Sequence, residues 1–484
     1  METPIMKRVV LLPAVLATAL SLASFAGEPL APGTIRIAWF KTDISPEVGS
    51  LICGYAPNQV SVEKHDPLFA VGLAMDDGRS RSLLVSLDLL GLDGATVRDL
   101  RGKLSRKLGT EESAVMLACT HNHSGPESCR RLNLPDSVNQ PYLDFLEKSL
   151  MESVASLESA KWRVCRVSYA SSSVDENYNR RFVTPDNSAS FVPHRRTLIP
   201  LCDGQADKEL GLLLFWDASY TGATPGGDSP VFIVGNYAAH VLSSHAPGIG
   251  GIRISADFPG FYRDYLGRET GAAAMFVQGA SGDLVPKGDE LGMAAARRTG
   301  ENLAMATINA IIQVCRNRKV YEVPDPKLGS AIRRFGVPMR SYFRNRIQRE
   351  YDGDGDMNLE VQLLSVGDVA YVGMPGEAAS ELGSEIKWHS PFRKTWVANL
   401  ATGFSGYISP GNALVQGGYE PLKQPFSARG GLKLVNESVD ALYALREKMF
   451  PSDGTEADRY PDNLQRPLVN IPGGVKQTHF RLGR

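Results

Sequence analysis

Apolar residues recur along this chain with two periods. Short apolar or alternating runs predict strands over 35–39, 69–75, 82–87, 114–119, 162–170, 231–235, 274–277, 359–366, 369–374 and 395–400. Asp76-Asp77-Gly78 reads as the turn of a hairpin, and 198–216 as a second hairpin. Val97, Leu100, Leu104 and Leu108 recur at helical spacing, and Gly109 closes that helix. Further helices are predicted over 142–157, from Ser255-Ala256-Asp257 onward, over 289–314, from Glu377 to Lys387, and along Leu432, Val435, Val439, Leu442 and Leu445. The stretches 175–181, 221–229 and 248–251 read as loops. Strand, helix and strand follow one another, which predicts an α/β fold of mixed β-sheets with flanking helices. There is no internal repeat and no interdomain linker.

Several of these strands run into polar, Gly-rich loops. The run 114–119 opens into Thr120-His121-Asn122-His123-Ser124-Gly125-Pro126. In extended backbone, residues two apart share a face, so His121 and His123 can reach one point beyond the strand end. Imidazole pairs of this kind begin many zinc sites, although two polar loop histidines would look the same. The run 231–235 leads to Asn236-Tyr237-Ala238-Ala239-His240, and 274–277 to Gln278-Gly279-Ala280-Ser281-Gly282-Asp283. Ligands in open α/β sheets bind beyond the carboxyl ends of strands, so a metal site is expected at strand C-terminal ends. Glu377 has two readings, a ligand or a residue favoured by a helix dipole.

Composition narrows the partners. The 484 residues carry 52 Lys+Arg against 53 Asp+Glu, which argues against nucleic acid and against a polybasic membrane patch. Lys7-Arg8, the apolar stretch 9–25 and Ser24-Phe25-Ala26 predict a signal peptide over 1–26. A membrane anchor is the other reading, but the run is short for a span and contains Pro13. The expectation is a periplasmic or secreted protein with no stable membrane span. The six cysteines permit disulfides or serve as core thiols. Asp352-Gly353-Asp354-Gly355-Asp356 begins like a calcium loop, yet Met357 and Leu363 stand where that loop needs Gly and a bidentate Glu. It reads as an acidic surface loop.

Five motifs occur together: Thr120 to Pro126, Asn236 to His240, Gly282-Asp283-Leu284-Val285-Pro286, Pro375-Gly376-Glu377 and Gly406-Tyr407. In this order they resemble the neutral/alkaline (non-lysosomal) ceramidase family, over roughly residues 33–425. The resemblance implies a zinc-dependent hydrolase that cleaves the amide of an N-acylsphingosine. It implies His121, His240, Glu377 and Tyr407 as metal ligands. Two imidazoles and a carboxylate are a common catalytic zinc set, and zinc brings the pKa of its water to about 7. Tyrosine is the unusual member. His123 would orient the scissile carbonyl, move a proton or fix His121. Arg180 and Tyr419 match residues near the reaction centre and could stabilise an oxyanion. Asp257 and Asp283 would cap helices, brace loops or touch substrate.

Two departures shape the expectation. Val285 stands where the family has a serine that has been given a catalytic role, so a mechanism through metal-activated water is retained and ceramide itself is not implied. The family continues into a C-terminal β-sandwich. Here 27–450 reads as the catalytic domain and 451–484 as a polar tail without that sandwich. The reading is therefore an exported zinc amidohydrolase acting on a small-molecule or lipid-like N-acyl substrate. An esterase or phosphoesterase on the same scaffold, and an exported binding protein without catalysis, are the alternatives. Oligomeric state is not legible.

Overall fold

The computed structural model describes residues 29–55, 59–129, 139–183, 187–191, 206–219, 229–245, 251–287, 291–344 and 356–451. The predicted signal peptide, most of the 221–229 and 248–251 loops, residues 352–355 of the acidic stretch, Cys202 and nearly all of the tail lie outside them.

Period-two patterning builds two sheets that face each other. The larger has eight strands in the order Ala273–Gln278, Phe232–Tyr237, Glu209–Asp217, Arg163–Ser173, Ile35–Asp43, Phe69–Asp76, Arg81–Leu87, Val115–Cys119. Its middle pairs are antiparallel and its two outermost pairs parallel. The smaller runs Leu328–Pro338, Asp356–Val366, Val369–Gly373, Lys394–Ala398, with the last pair parallel. Along Val115–Cys119, Met116 and Ala118 enter the core between the sheets, together with Leu364, Tyr371 and Trp396 of the smaller sheet. The alternate residues Val115, Leu117 and Cys119 pack instead with the helices Gly94–Leu108 and Gln140–Ser156. The same alternation puts Ala370 and Val372 on the outer face of the smaller sheet, with Leu382, Leu434 and Leu442. Four layers result, helices on sheet on sheet on helices. Burying both faces of each sheet explains the near-continuous apolar strands.

The large sheet curls until its ends approach. Ser86 Oγ donates to Phe276 O (2.5 Å), and Asn122 bridges Val241 beyond the strand ends. The His123 amide donates to Val241 O (3.0 Å). The two parallel edge pairs thus deliver their carboxyl ends to one place. The parallel pair of the smaller sheet joins them, since the amides of Asn399 and Cys119 donate to Gln278 O (2.9 Å) and Leu400 O (3.3 Å).

Four expectations change. Residues 175–181 are not all loop: Asn177–Asn179 pairs with Leu284–Pro286. Glu377 does not open a helix; it sits in the short strand Glu377–Ala378, and the helix starts at Ser380. Glu209–Asp217 pairs with Arg163–Ser173 and Phe232–Tyr237, while 198–205 lie outside the described residues. In the helix Arg429–Met449, Leu432 is 62% exposed and Leu434 is buried, because the apolar stripe runs through Leu434, Ala441 and Leu445.

Candidate metal centre

His121 reaches the site by a kink. The strand stops at Cys119 and His121 takes φ 65°, so the pair does not project from continuous extended backbone. A non-glycine residue there is uncommon and is held by its surroundings. Here His121 Nδ1 donates to Leu90 O (3.1 Å). His240 Nδ1 lies 2.8 Å from Ser281 O and 2.9 Å from Leu284 O. A carbonyl only accepts, so each Nδ1 carries the proton and each Nε2 presents a lone pair. Backbone carbonyls holding the far nitrogen are the usual support of a metal-binding imidazole.

Glu377 closes the other side. Its strand pairs in parallel with Tyr407–Ile408, which sets Glu377 opposite Tyr407. Glu377 Oε2 lies 3.1 Å from His121 Nε2 and 3.2 Å from His240 Nε2. With both imidazole protons committed elsewhere, this buried oxygen receives no hydrogen bond. Three candidate donor atoms thus converge on one buried point, and a cation there would satisfy all three. His121, His123 and His240 also stand close enough to hold one ion together, with ligand atoms within 4.8 Å of one another. His123 Nε2 is 3.2 Å from His121 Nε2. It differs from the other two, because its Nδ1 is buried without a partner. Two imidazoles and a carboxylate suit zinc.

Arg180 fills the adjoining corner. Its Nε donates to Glu420 Oε1 (2.7 Å), and its Nη2 to Gly282 O (2.9 Å) and Tyr407 Oη (3.1 Å). Arg181 Nη1 donates to the other Glu420 oxygen (3.1 Å). Nη1 of Arg180 stands 3.4 Å from His240 Nε2, which accepts. Burial, and then the charge of Arg180, bring His240 down to about 4. Burial and the neighbouring imidazoles hold His123 well below the ordinary histidine value. Both rings are therefore neutral near pH 7. Burial and Glu377 push the Tyr407 phenol up, against the pull of Arg180. The Tyr419 ring meets that of Tyr407 edge-on, with centroids 5.5 Å apart. Tyr419 is 41% exposed and Tyr407 8%, so Tyr419 stands at the solvent side of the cluster.

All seven residues singled out in the sequence thus lie in one cluster. Of the two aspartates, Asp283 braces it. Asp283 accepts from the Ser380 amide and Asn179 Nδ2 (both 2.8 Å), tying the Arg180 strand to the helix after Glu377. Asp257 accepts from the Ser244 and Phe258 amides (both 2.6 Å). Three residues escaped the sequence reading. Glu420 anchors Arg180, and its place beside Tyr419 was the available signal. Gly54 lies against His123: a Cβ there would stand 2.6 Å from His123 Nδ1. Tyr55 puts its ring edge-on to His123, with centroids 5.3 Å apart. Gly54 and Tyr55 sit in a stretch with no periodic pattern to mark them.

The fold is similar to two solved structures. The crystal structure of neutral ceramidase from Pseudomonas aeruginosa matches with TM-score 0.69 at 18% identity, covering 86% of this chain and 75% of that one. A ceramidase complexed with C2 matches with TM-score 0.69 at 17% identity, covering 86% and 76%. The fold is ceramidase-like. No protein-family model matches the chain, and no curated protein matches it.

Proposed function

We propose that this chain is an exported zinc-dependent hydrolase that cleaves an N-acyl amide bond by activated water. The observation that carries the reading is the convergence of the His121, His240 and Glu377 lone pairs beside the Arg180 cation. The ceramidase-like fold supports it. His121, His240, Glu377 and Tyr407 would hold the metal. Bound zinc supplies Lewis acidity, which makes water a nucleophile at neutral pH. Arg180, oriented by Glu420, brings its positive charge beside the place where negative charge develops on the scissile carbonyl oxygen, and Tyr419 offers a phenol to that oxygen. His123 is neutral, with Nε2 turned toward the cluster; it orients the carbonyl or carries a proton at that atom. A lipid-like N-acyl compound is the substrate class. Among the described residues no helix is long and apolar enough to cross a membrane.

A second reading has its own observation. Val285 is buried against Tyr178 and Leu242, so this position brings no hydroxyl to the site. Ester or phosphoester cleavage needs none. Metal content of the mature protein, wild type beside His240→Ala, tests the centre. About one zinc per chain, lost in the variant, is expected. Absence of zinc from carefully loaded wild type would overturn the reading. A panel of chromogenic N-acyl amides, esters and phosphoesters then separates the two chemistries, and metal-bound protein inert on all of them would be a binding protein.

A further inference from the structure

The segment that walls off His123 and the loop that carries it each end in a cysteine. Cys53 and Cys129 are fully buried and share one small apolar cluster with Leu90 and Phe404. Both are thiols in this structure. The backbones around them are already joined: the Cys53 amide donates to Gly125 O and the Glu127 amide to Leu51 O (both 3.0 Å), and Ile52 bridges Pro126. No other pair of cysteines among the described residues shares a cluster. Cys119 packs under the helices of the large sheet, Cys165 between the sheets, and Cys315 against a separate core.

We propose that Cys53 and Cys129 form a disulfide that fixes the wall of the metal centre. The bond would span 76 positions (129 − 53) and enclose both His121 and His123. At one end, Cys53 precedes Gly54, which packs against His123 Nδ1. At the other, Cys129 closes the stretch that holds the histidines. Leu90, which shares their apolar cluster, supplies the carbonyl that accepts from His121 Nδ1. The cross-link therefore constrains three backbone segments that touch the two imidazoles. Both sulfurs are fully buried, out of reach of reagents once the fold is complete, and the partner thiol and burial push the Cys129 thiol well above its ordinary value. The bond forms during folding, in an oxidising compartment. One cysteine thiolate attacks the disulfide of a thiol–disulfide oxidoreductase or of oxidised glutathione, giving a mixed disulfide. The second thiolate displaces it. Two S–H bonds are lost, one S–S bond forms, and the two electrons and two protons leave on the reduced reagent.

The test needs neither zinc binding nor hydrolysis. Full-length mature protein is denatured, reduced, refolded in a buffer of reduced and oxidised glutathione, quenched in acid and alkylated under denaturing conditions. Trypsin cleavage after Lys41, Lys64, Lys107 and Arg130 isolates the two segments, and fragment ions distinguish Cys129 from Cys119 on the shared peptide. The expected product joins Cys53 to Cys129 and leaves Cys119 and Cys165 alkylated. Alkylated Cys53 and Cys129, or either one joined to Cys119, Cys202 or Cys315, would overturn the proposal. A phosphine reductant should lower the thermal midpoint of the oxidised protein by about 5 °C. The doubly substituted Cys53→Ser, Cys129→Ser protein should be insensitive to it. Equal sensitivity in both proteins would also count against the bond.

Discussion

At the scale of single residues, the centre depends on charges that are buried only because each has a partner. Arg180 is 3% exposed and its carboxylate partner Glu420 is buried too. Removing one member of such a pair leaves a bare charge and costs about 3–5 kcal/mol. Glu420→Gln should therefore lower the unfolding free energy by about 3 kcal/mol and hydrolysis at least tenfold, with zinc still bound. Denaturant titration, turnover and metal analysis of one preparation check all three. Asp257 carries a pH signature. Burial pushes its carboxyl up from 3.8 to about 6. A folded-state value above the unfolded one stabilises the fold fully below pH 3.8, and that contribution is lost as pH rises through 6. A 2-unit shift is worth about 3 kcal/mol. The difference in unfolding free energy between Asp257→Asn and wild type should move by that amount toward the variant from pH 4 to pH 7. A flat difference would mean that the carboxyl titrates normally. The left-handed φ of 54° at this position suits Asn as well as Asp.

At the scale of elements, close backbone approach decides where the clustered side chains stand. A Cβ on Gly282 would lie 2.4 Å from Glu377 O, and one on Gly376 the same distance from Gly406 O. These glycines let three polypeptide segments cross beneath the site. Gly282→Ala should push the Glu377 strand outward and weaken zinc binding at least tenfold, more than it lowers the thermal midpoint. A competition titration with a zinc chelator measures the first and calorimetry the second. This is also where sequence reading ran out. Strands with strong period-two or continuous apolar patterns were legible, as was the helix closed by Gly109; the seven side chains singled out through the family resemblance do lie together. The short strands Asn177–Asn179, Leu284–Pro286, Glu377–Ala378 and Tyr407–Ile408 were not legible. They are two or three residues long, too short to show a period, and exist only because distant segments meet. In the last helix Val435, Val439, Leu442 and Leu445 do face the core, and only Leu432 was misplaced, for a related reason. Leu432 and Leu434 are equally apolar, and only the position of the smaller sheet selects Leu434.

At the scale of the molecule, the cluster gathers two edges of one sheet and the end of another. Holding those pieces together is folding work, so a ligand that binds only the assembled site stabilises the whole chain. Zinc at a hundredfold excess over its dissociation constant should add about 2.7 kcal/mol. Wild type should show a raised thermal midpoint that a chelator reverses, and His240→Ala should show neither effect. An equal rise in the variant would place the bound zinc elsewhere. His121 and Tyr407 are 286 residues apart (407 − 121). At about 5–20 residues per second of synthesis, the first of these side chains waits roughly a quarter of a minute to a minute for the last. On the proposed ligand set, no ion can be gripped by all four side chains during that interval. Selection of the metal therefore belongs to the place where folding finishes rather than where translation begins. For a chain exported unfolded, the ions of the outer compartment would decide what occupies the centre.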